Sequence, residues 1–274
     1  MITKNMFYDI MIYVYALSLL FYFSDAADAS RRAKRMGTGL LIFVWLLQTG
    51  YLIYKLLVHI HSDVFTLFEY LFFFSWLLVT SSLIMSRFFR IEYLVFCINV
   101  VGFVVLVLNL ISRPESFIPL ATHDLALTLL YLHISLVICA YAVFTISAIF
   151  ACMYIFLHSR LRRKKWTVSV RRLPSLENID RYVFRTVIIG IPLLVLSLAV
   201  GVTSIIVEDK AFLLLDFKVI TSTIAVIFYF IYLFHRTMLQ RPGYKTSAWN
   251  IAAFTILISN LFLNSLSKFH NWLS

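Results

Sequence analysis

The chain has 274 residues, of which 62% are hydrophobic, and its mean hydropathy is +0.91. A soluble domain contains about 45–50% apolar residues, so this composition excludes a soluble globular protein and indicates an integral membrane protein. The formal net charge is +11 at pH 7. Nearly all of the basic residues flank apolar segments on one side, which argues against a nucleic-acid-binding protein. The three cysteines, Cys97, Cys139 and Cys152, fall inside apolar runs, and the sequence contains no CxxC motif.

Eight apolar segments are long enough to cross a bilayer, whose hydrocarbon core of about 30 Å requires about 20 helical residues. We therefore predict an all-α, polytopic membrane helix bundle of eight transmembrane helices, with residues 1–274 in a single integral membrane domain. The predicted spans are 5–24, 38–58, 65–85, 91–111, 124–158, 182–207, 215–234 and 247–267.

The fifth segment, 124–158, is the longest, and between its end residues it carries no Asp, Glu, Lys or Arg. As a helix it reaches roughly 50 Å, so one end projects beyond about 30 Å of hydrocarbon. The basic cluster that follows it, 160–165, belongs on the cytoplasmic side. Counting about 20 residues back from Leu157 puts the outer boundary near Val137, with His133 one turn beyond lipid depth.

Lysine and arginine residues are distributed unequally between the two sides of these spans. The largest basic segment is a predicted cytoplasmic loop at about 159–181, and the clusters 31–35 and 87–90 fall on the same side. The inner side carries about three times as many of these residues as the outer side, so we predict that both termini face outward. The basic loop is also suited to contact anionic membrane lipid.

Histidines are the main candidates for ligand chemistry. Those at the predicted outer face are His59, His61, His123, His133 and His270, and those at inner ends of spans are His158 and His235. Neutral imidazole binds iron axially, so two histidines at opposite ends of an apolar pocket suit a flat, metal-centred ligand. His133 and His270 carry this hypothesis. The HxH at 59–61 offers too few ligands for zinc without further residues such as Asp63. A histidine at a membrane boundary is also commonly an interface residue, and this alternative stays open.

Several motifs in a shared order carry a resemblance to a known family. They are FTLFEYLFFFSW, LHISLVICAYAVF, DRYVFRTVIIGIPLLVLSLAVG, LLLDFKVITSTIAVIFYFIYLFHR and NSLSKFHNW. From about Phe65 to the C-terminus, the chain resembles the cytochrome c assembly, haem-handling membrane proteins of the CcsA/CcmC/CcmF superfamily.

This resemblance implies a bacterial cytoplasmic membrane protein with non-covalently bound b-type haem as its cofactor. It implies that His133 and His270 are axial ligands to a haem iron at the outer face, and that His235 ligates a second haem within the membrane. Tyr141 and Asp216 fall in the matching motifs and are expected to contribute to cofactor binding.

One departure from the family pattern bears on activity. The synthase members carry a tryptophan-rich motif that ends in Asp just before the seventh span, whereas this chain reads EDKAFLLLDFK, with no tryptophan. The aromatic platform that presents haem to apocytochrome is therefore missing. This favours a haem-binding protein that is not an enzyme.

Three functions are compatible with these observations. The first is a haem-binding membrane protein linked to control of haem biosynthesis or to haem handling. The second is a component of a cytochrome c haem lyase or haem exporter in system II cytochrome c biogenesis, which requires a protein partner. The third is a transporter without haem, which requires internal repeats and polar residues near the midplane. The middles of the spans are mostly Leu, Val, Ile and Phe, with occasional Ser, Thr and Cys, which argues against the third.

Overall fold

The structure, a computed structural model, describes residues 2–28, 30–59, 67–88, 92–112, 125–164, 170, 172–207, 209, 211–239 and 243–262. All regular secondary structure in these residues is helical, which confirms the all-α prediction. The chain divides into two compact units, unit 1 (Met1–Pro119) and unit 2 (Leu120–Ser274). The prediction that residues 1–274 form a single domain stays a prediction.

Unit 1 contains four helices, each packed against two neighbours. They are α1 (Ile2–Asp28), α2 (Arg31–His59), α3 (Leu67–Phe88) and α4 (Glu92–Ser112). Each helix contributes a fully buried apolar residue to one core cluster, namely Met11, Leu41, Phe72 and Leu106. Burying such side chains inside a helix bundle leaves the remaining apolar faces of the helices for lipid.

The interior of unit 1 also holds a set of hydrogen-bonded polar side chains. Tyr15 donates from its hydroxyl to Asn99 Oδ1 at 3.0 Å, and Asn99 Nδ2 donates to Ser82 Oγ at 2.8 Å. Gln48 Nε2 donates to Ser75 Oγ at 3.3 Å, and all five residues are fully buried. The description of the span middles as mostly Leu, Val, Ile and Phe with occasional Ser, Thr and Cys therefore omits the buried Gln48 and Asn99 of unit 1. Cross-helix bonds of this kind satisfy polar groups that lipid cannot.

Unit 2 contains four α-helices and one short 3-10 helix. The α-helices are α5 (Leu125–Arg162), α6 (Leu176–Val207), α7 (Phe217–Thr237) and α8 (Tyr244–Phe262), and the 3-10 helix spans Ala211–Leu215. The α5 helix packs against α6 and α8, and α7 packs against the same two helices. At the centre, the fully buried rings of Phe144 and Tyr229 stack with centroids 3.9 Å apart. Gly190 permits this arrangement, because a Cβ there would come within 2.7 Å of the Phe144 ring.

Among the described residues, seven helices, α1 to α7, are long and apolar enough to cross a membrane. The chain is therefore a multi-pass membrane protein. The α8 helix covers residues 247–262 of the predicted eighth span, and residues 263–267 of that span lie outside the described residues. The count of eight spans and the orientation of the termini stay predictions.

The helices extend further into the predicted loops than the apolar runs indicate. Helix α2 begins at Arg31, so the basic cluster that follows α1 lies in its first turns. Helix α5 continues to Arg162 and α6 begins at Leu176, which shortens the predicted loop at 159–181 from both ends. Ser175 caps α6, because its Oγ accepts a bond from Asn178 N at 3.3 Å. Lysine and arginine are also good helix formers, so a basic cluster does not by itself end a helix.

Candidate functional site

The imidazole of His133, on α5, is anchored to the backbone of α6. Its Nδ1 lies 2.7 Å from the carbonyl oxygen of Ser197 and 3.1 Å from Ser197 Oγ. A carbonyl oxygen only accepts hydrogen bonds, so Nδ1 carries the proton and donates it. The Ser197 hydroxyl donates in turn to the carbonyl oxygen of His133 at 3.3 Å. These bonds select the tautomer whose acceptor lone pair is on Nε2.

A glycine makes this close approach of the two helices possible. Gly201 lies one turn along α6 from Ser197, and a Cβ at this position would come within 2.8 Å of His133 Nδ1 and 2.9 Å of its Cε1. The ring of His133 therefore lies directly against the α6 backbone. Metal-binding histidines are usually held in this way, with the second ring nitrogen donating to a backbone carbonyl or a carboxylate.

The beginning of α7 lies beside the same stretch of α5. Val219 packs in a cluster with Leu130 and Ile134 of α5, which flank His133, and with Ile205 of α6. The positive charge of Lys218, in the first turn of α7, lies within electrostatic range of the His133 ring.

Asp216 is the N-cap of α7. It has extended backbone dihedrals, and its Oδ1 accepts a bond from Lys218 N at 2.9 Å. Side-chain acceptors at this position satisfy backbone N–H groups that have no partner inside the helix. The hydrogen bond between Asp216 and Lys218 N therefore orders the start of α7.

Tyr141 lies two turns further along α5 and braces α5 against α8. It is buried, and its hydroxyl donates to the carbonyl oxygen of Leu257 at 2.8 Å. Nearby on α8, Asn260 accepts from Thr221 Oγ1 at 2.9 Å and donates to Ser222 Oγ at 2.6 Å, both on α7. The last described turn of α8 is thus tied to the first turns of α7.

His235 lies near the opposite end of α7. Its ring stacks on Trp249 of α8, with centroids 6.1 Å apart and planes at 18°. Between Lys218 and His235 the helix advances about 26 Å at its normal rise per residue. The structure therefore places His133 and His235 in two separate environments of unit 2.

Four of the predicted histidines lie wholly or partly outside the described residues. His270, His61 and His123 lie outside the described residues, and so does the side chain of His59. The pairing of His133 with His270 stays a prediction. Within the part of the chain that the structure describes, no group of three His, Cys, Asp or Glu residues is suited to hold a bare metal ion.

Ser197 and Gly201 are the site residues that the sequence analysis missed. Their signal is a pair of small residues four apart in an apolar helix, which permits close packing of a neighbouring helix. The spacing alone does not say which helix approaches, so the contact with His133 required the fold.

The fold and this site define a multi-pass helical membrane protein with a backbone-anchored histidine near one end of unit 2. The chain belongs to the cytochrome c assembly protein family, which its residues 64–270 match. This match confirms the resemblance found in the motifs. The match covers α3 to α8 and begins after α1 and α2.

Two relatives are similar over nearly the whole chain. Protein HemX of Brevibacillus brevis is 38% identical over 267 residues, which cover 97% of this chain and 97% of that protein. Protein HemX of Bacillus subtilis (strain 168) is 36% identical over 264 residues, which cover 96% of this chain and 95% of that protein. No solved structure matches the chain.

Proposed function

We propose that this chain is a haem-binding protein of HemX type in the bacterial cytoplasmic membrane, with eight spans and both termini outside. It handles haem or controls haem biosynthesis, and it is not itself an enzyme. In this proposal b-type haem is held non-covalently at the outer face by His133 and His270. The observation that carries the proposal is the bond from His133 Nδ1 to the Ser197 carbonyl oxygen, at 2.7 Å.

The described residues around His133 fit a haem iron. The bond to Ser197 orients the imidazole and selects the tautomer whose Nε2 lone pair can coordinate iron. Gly201 allows this orientation without strain, because no side chain competes for the space. Bound haem would supply an iron centre able to exchange electrons or axial ligands.

The stretch of chain between Asn260 and His270 is long enough for His270 to reach the His133 site. Ten residues separate it from Asn260, which is bonded to Thr221 near the start of α7. Ten residues span about 15 Å as a helix and about 35 Å when extended. Val219, near the start of α7, packs in the cluster that contains Leu130 and Ile134 on either side of His133. This reach therefore supports His270 as the second axial ligand.

The other predicted site residues take separate roles in this proposal. His235 is the proposed ligand of a second haem, and its stacking on Trp249 would hold the ring in place. Tyr141 acts by holding α5 against α8, and Asp216 acts by ordering the start of α7. Direct contact of either side chain with the cofactor stays a prediction.

A second candidate function is a component of a cytochrome c haem lyase or haem exporter in system II. The match of residues 64–270 to the cytochrome c assembly protein family favours it. This function requires a membrane partner that supplies further haem ligands and a docking surface for CxxCH peptides, and the missing tryptophans count against it. Co-purification of such a partner, together with restored cytochrome c maturation, would establish it.

Titration of the purified protein with ferric haem tests the first function. We expect the wild type to bind haem with the Soret band of a histidine-coordinated iron. In His133→Ala and in His270→Ala, the Soret band should shift away from this wavelength. His158→Ala is the matched control, because His158 lies on the same helix but packs against Tyr154 and Tyr244 near its other end. Absence of haem binding by the wild type, or an identical spectrum in all variants, would remove the proposal.

A further inference from the structure

Lys218 carries a positive charge at a helix position that favours negative charge. It occupies the first turn of α7, where the helix dipole stabilises anions and disfavours cations. It also lies near the end of a candidate membrane span, where a charged side chain is costly and usually has a function. Asp216 is the anion beside it in the sequence, but Asp216 Oδ1 also accepts a bond from the Lys218 backbone N–H at 2.9 Å.

The residue that follows Lys218 in the first turn of α7 packs beside the proposed iron ligand. Val219 packs with Leu130 and Ile134, which lie on either side of His133 along α5. The Lys218 charge lies within electrostatic range of the His133 ring. An ammonium group has three donors, so Lys218 can keep its interaction with Asp216 and bind a further anion at the same time.

We infer that Lys218 is a carboxylate-binding residue of the His133 site, which selects a metal macrocycle that carries acidic groups on its edge. The inference rests on the proposed function, because it concerns the same ligand. For haem, the groups bound would be the propionates. The imidazole would recognise the metal, and the ammonium group would recognise the periphery of the ring.

Comparison of haem with its dimethyl ester isolates this contact. The ester keeps the iron and the macrocycle but replaces both carboxylates with neutral groups. We expect the purified wild type to bind ferric haem about tenfold more tightly than the ester, as is typical of one charge-assisted hydrogen bond. Lys218→Met should remove this preference by weakening haem binding alone, and Lys218→Arg should retain it.

The controls separate this inference from the proposed function. Binding of the ester by Lys218→Met shows that the variant is folded, and Lys245→Met, which changes an exposed lysine of α8, should behave as wild type. If His133→Ala loses the histidine-coordinated spectrum while Lys218→Met binds both porphyrins as wild type does, only this inference fails. Equal losses for haem and ester in Lys218→Met would also overturn it. If the wild type binds neither porphyrin, the proposed function and this inference fail together.

Discussion

Two small residues, Ser197 and Gly201, orient the His133 imidazole. Ser197 supplies the acceptors, and Gly201 supplies the space in which the ring lies. Histidine at this position was identifiable from its place beyond the predicted lipid boundary. The orientation of the His133 ring was not predictable, because the sequence does not indicate which face of α6 packs against α5.

Replacement of Gly201 by alanine tests this packing at the residue scale. The new Cβ would meet the His133 ring at 2.8 Å, so the ring must move away from the Ser197 carbonyl. We expect a loss of about 1–3 kcal/mol in the free energy of unfolding, as for other overpacked sites, together with weaker haem binding. Thermal unfolding in detergent and haem titration measure the two effects.

Gly50→Ala is the control for this substitution. Gly50 also lies inside a helix, but a Cβ there has no atom within 4 Å. Its replacement should leave haem binding unchanged and stability within about 1 kcal/mol of wild type. Equal behaviour of the two variants would show that the His133 ring does not depend on the space at Gly201.

At the scale of the elements, an ion pair between a partly buried arginine and a buried aspartate joins α6 to α7 at the end remote from His133. Arg236 donates to Asp180 at 2.5 Å, and the two side chains are 21% and 9% exposed. Removing one member by Asp180→Asn leaves the arginine charge without its ion-pair partner. Loss of one partner of a buried pair typically costs about 3–5 kcal/mol, so we expect a large fall in the thermal midpoint.

A second ion pair on α6 provides the comparison. Glu177 and Arg181 lie 2.9 Å apart but are 81% and 52% exposed, so Glu177→Gln should change stability by less than about 1 kcal/mol. If both variants unfolded at the same temperature, the Asp180–Arg236 pair would not be holding the two helices together.

The existence of the helices was predictable, while their ends and their polar contacts were not. Long apolar runs identify spans because lipid requires internally bonded backbone. Helix α6 begins six residues before the predicted span because Ser175, a polar residue outside the apolar run, caps it. Asn99 and Gln48 were overlooked among apolar neighbours, because only the packed helices bring their partners Tyr15 and Ser75 within reach.

At the scale of the whole molecule, the predicted orientation depends on the asymmetry of the basic residues. Cysteine labelling tests it in a variant that lacks the three native cysteines. A membrane-impermeant maleimide should label Phe212→Cys in intact cells, because Phe212 is exposed and its 3-10 helix is predicted to face outward. Lys245→Cys, at the predicted inner end of α8, should react only after the membrane is permeabilised. The opposite pattern would invert the topology and move His133 to the cytoplasmic side.

Coordination of a haem iron by His133 and His270 is most directly tested by low-temperature electron paramagnetic resonance of the ferric, haem-loaded protein. Two axial imidazoles should give a low-spin signal in the wild type. His133→Gly and His270→Gly should each lose this signal and regain it when free imidazole is added. A low-spin signal that persists unchanged in both variants would show that other residues hold the iron.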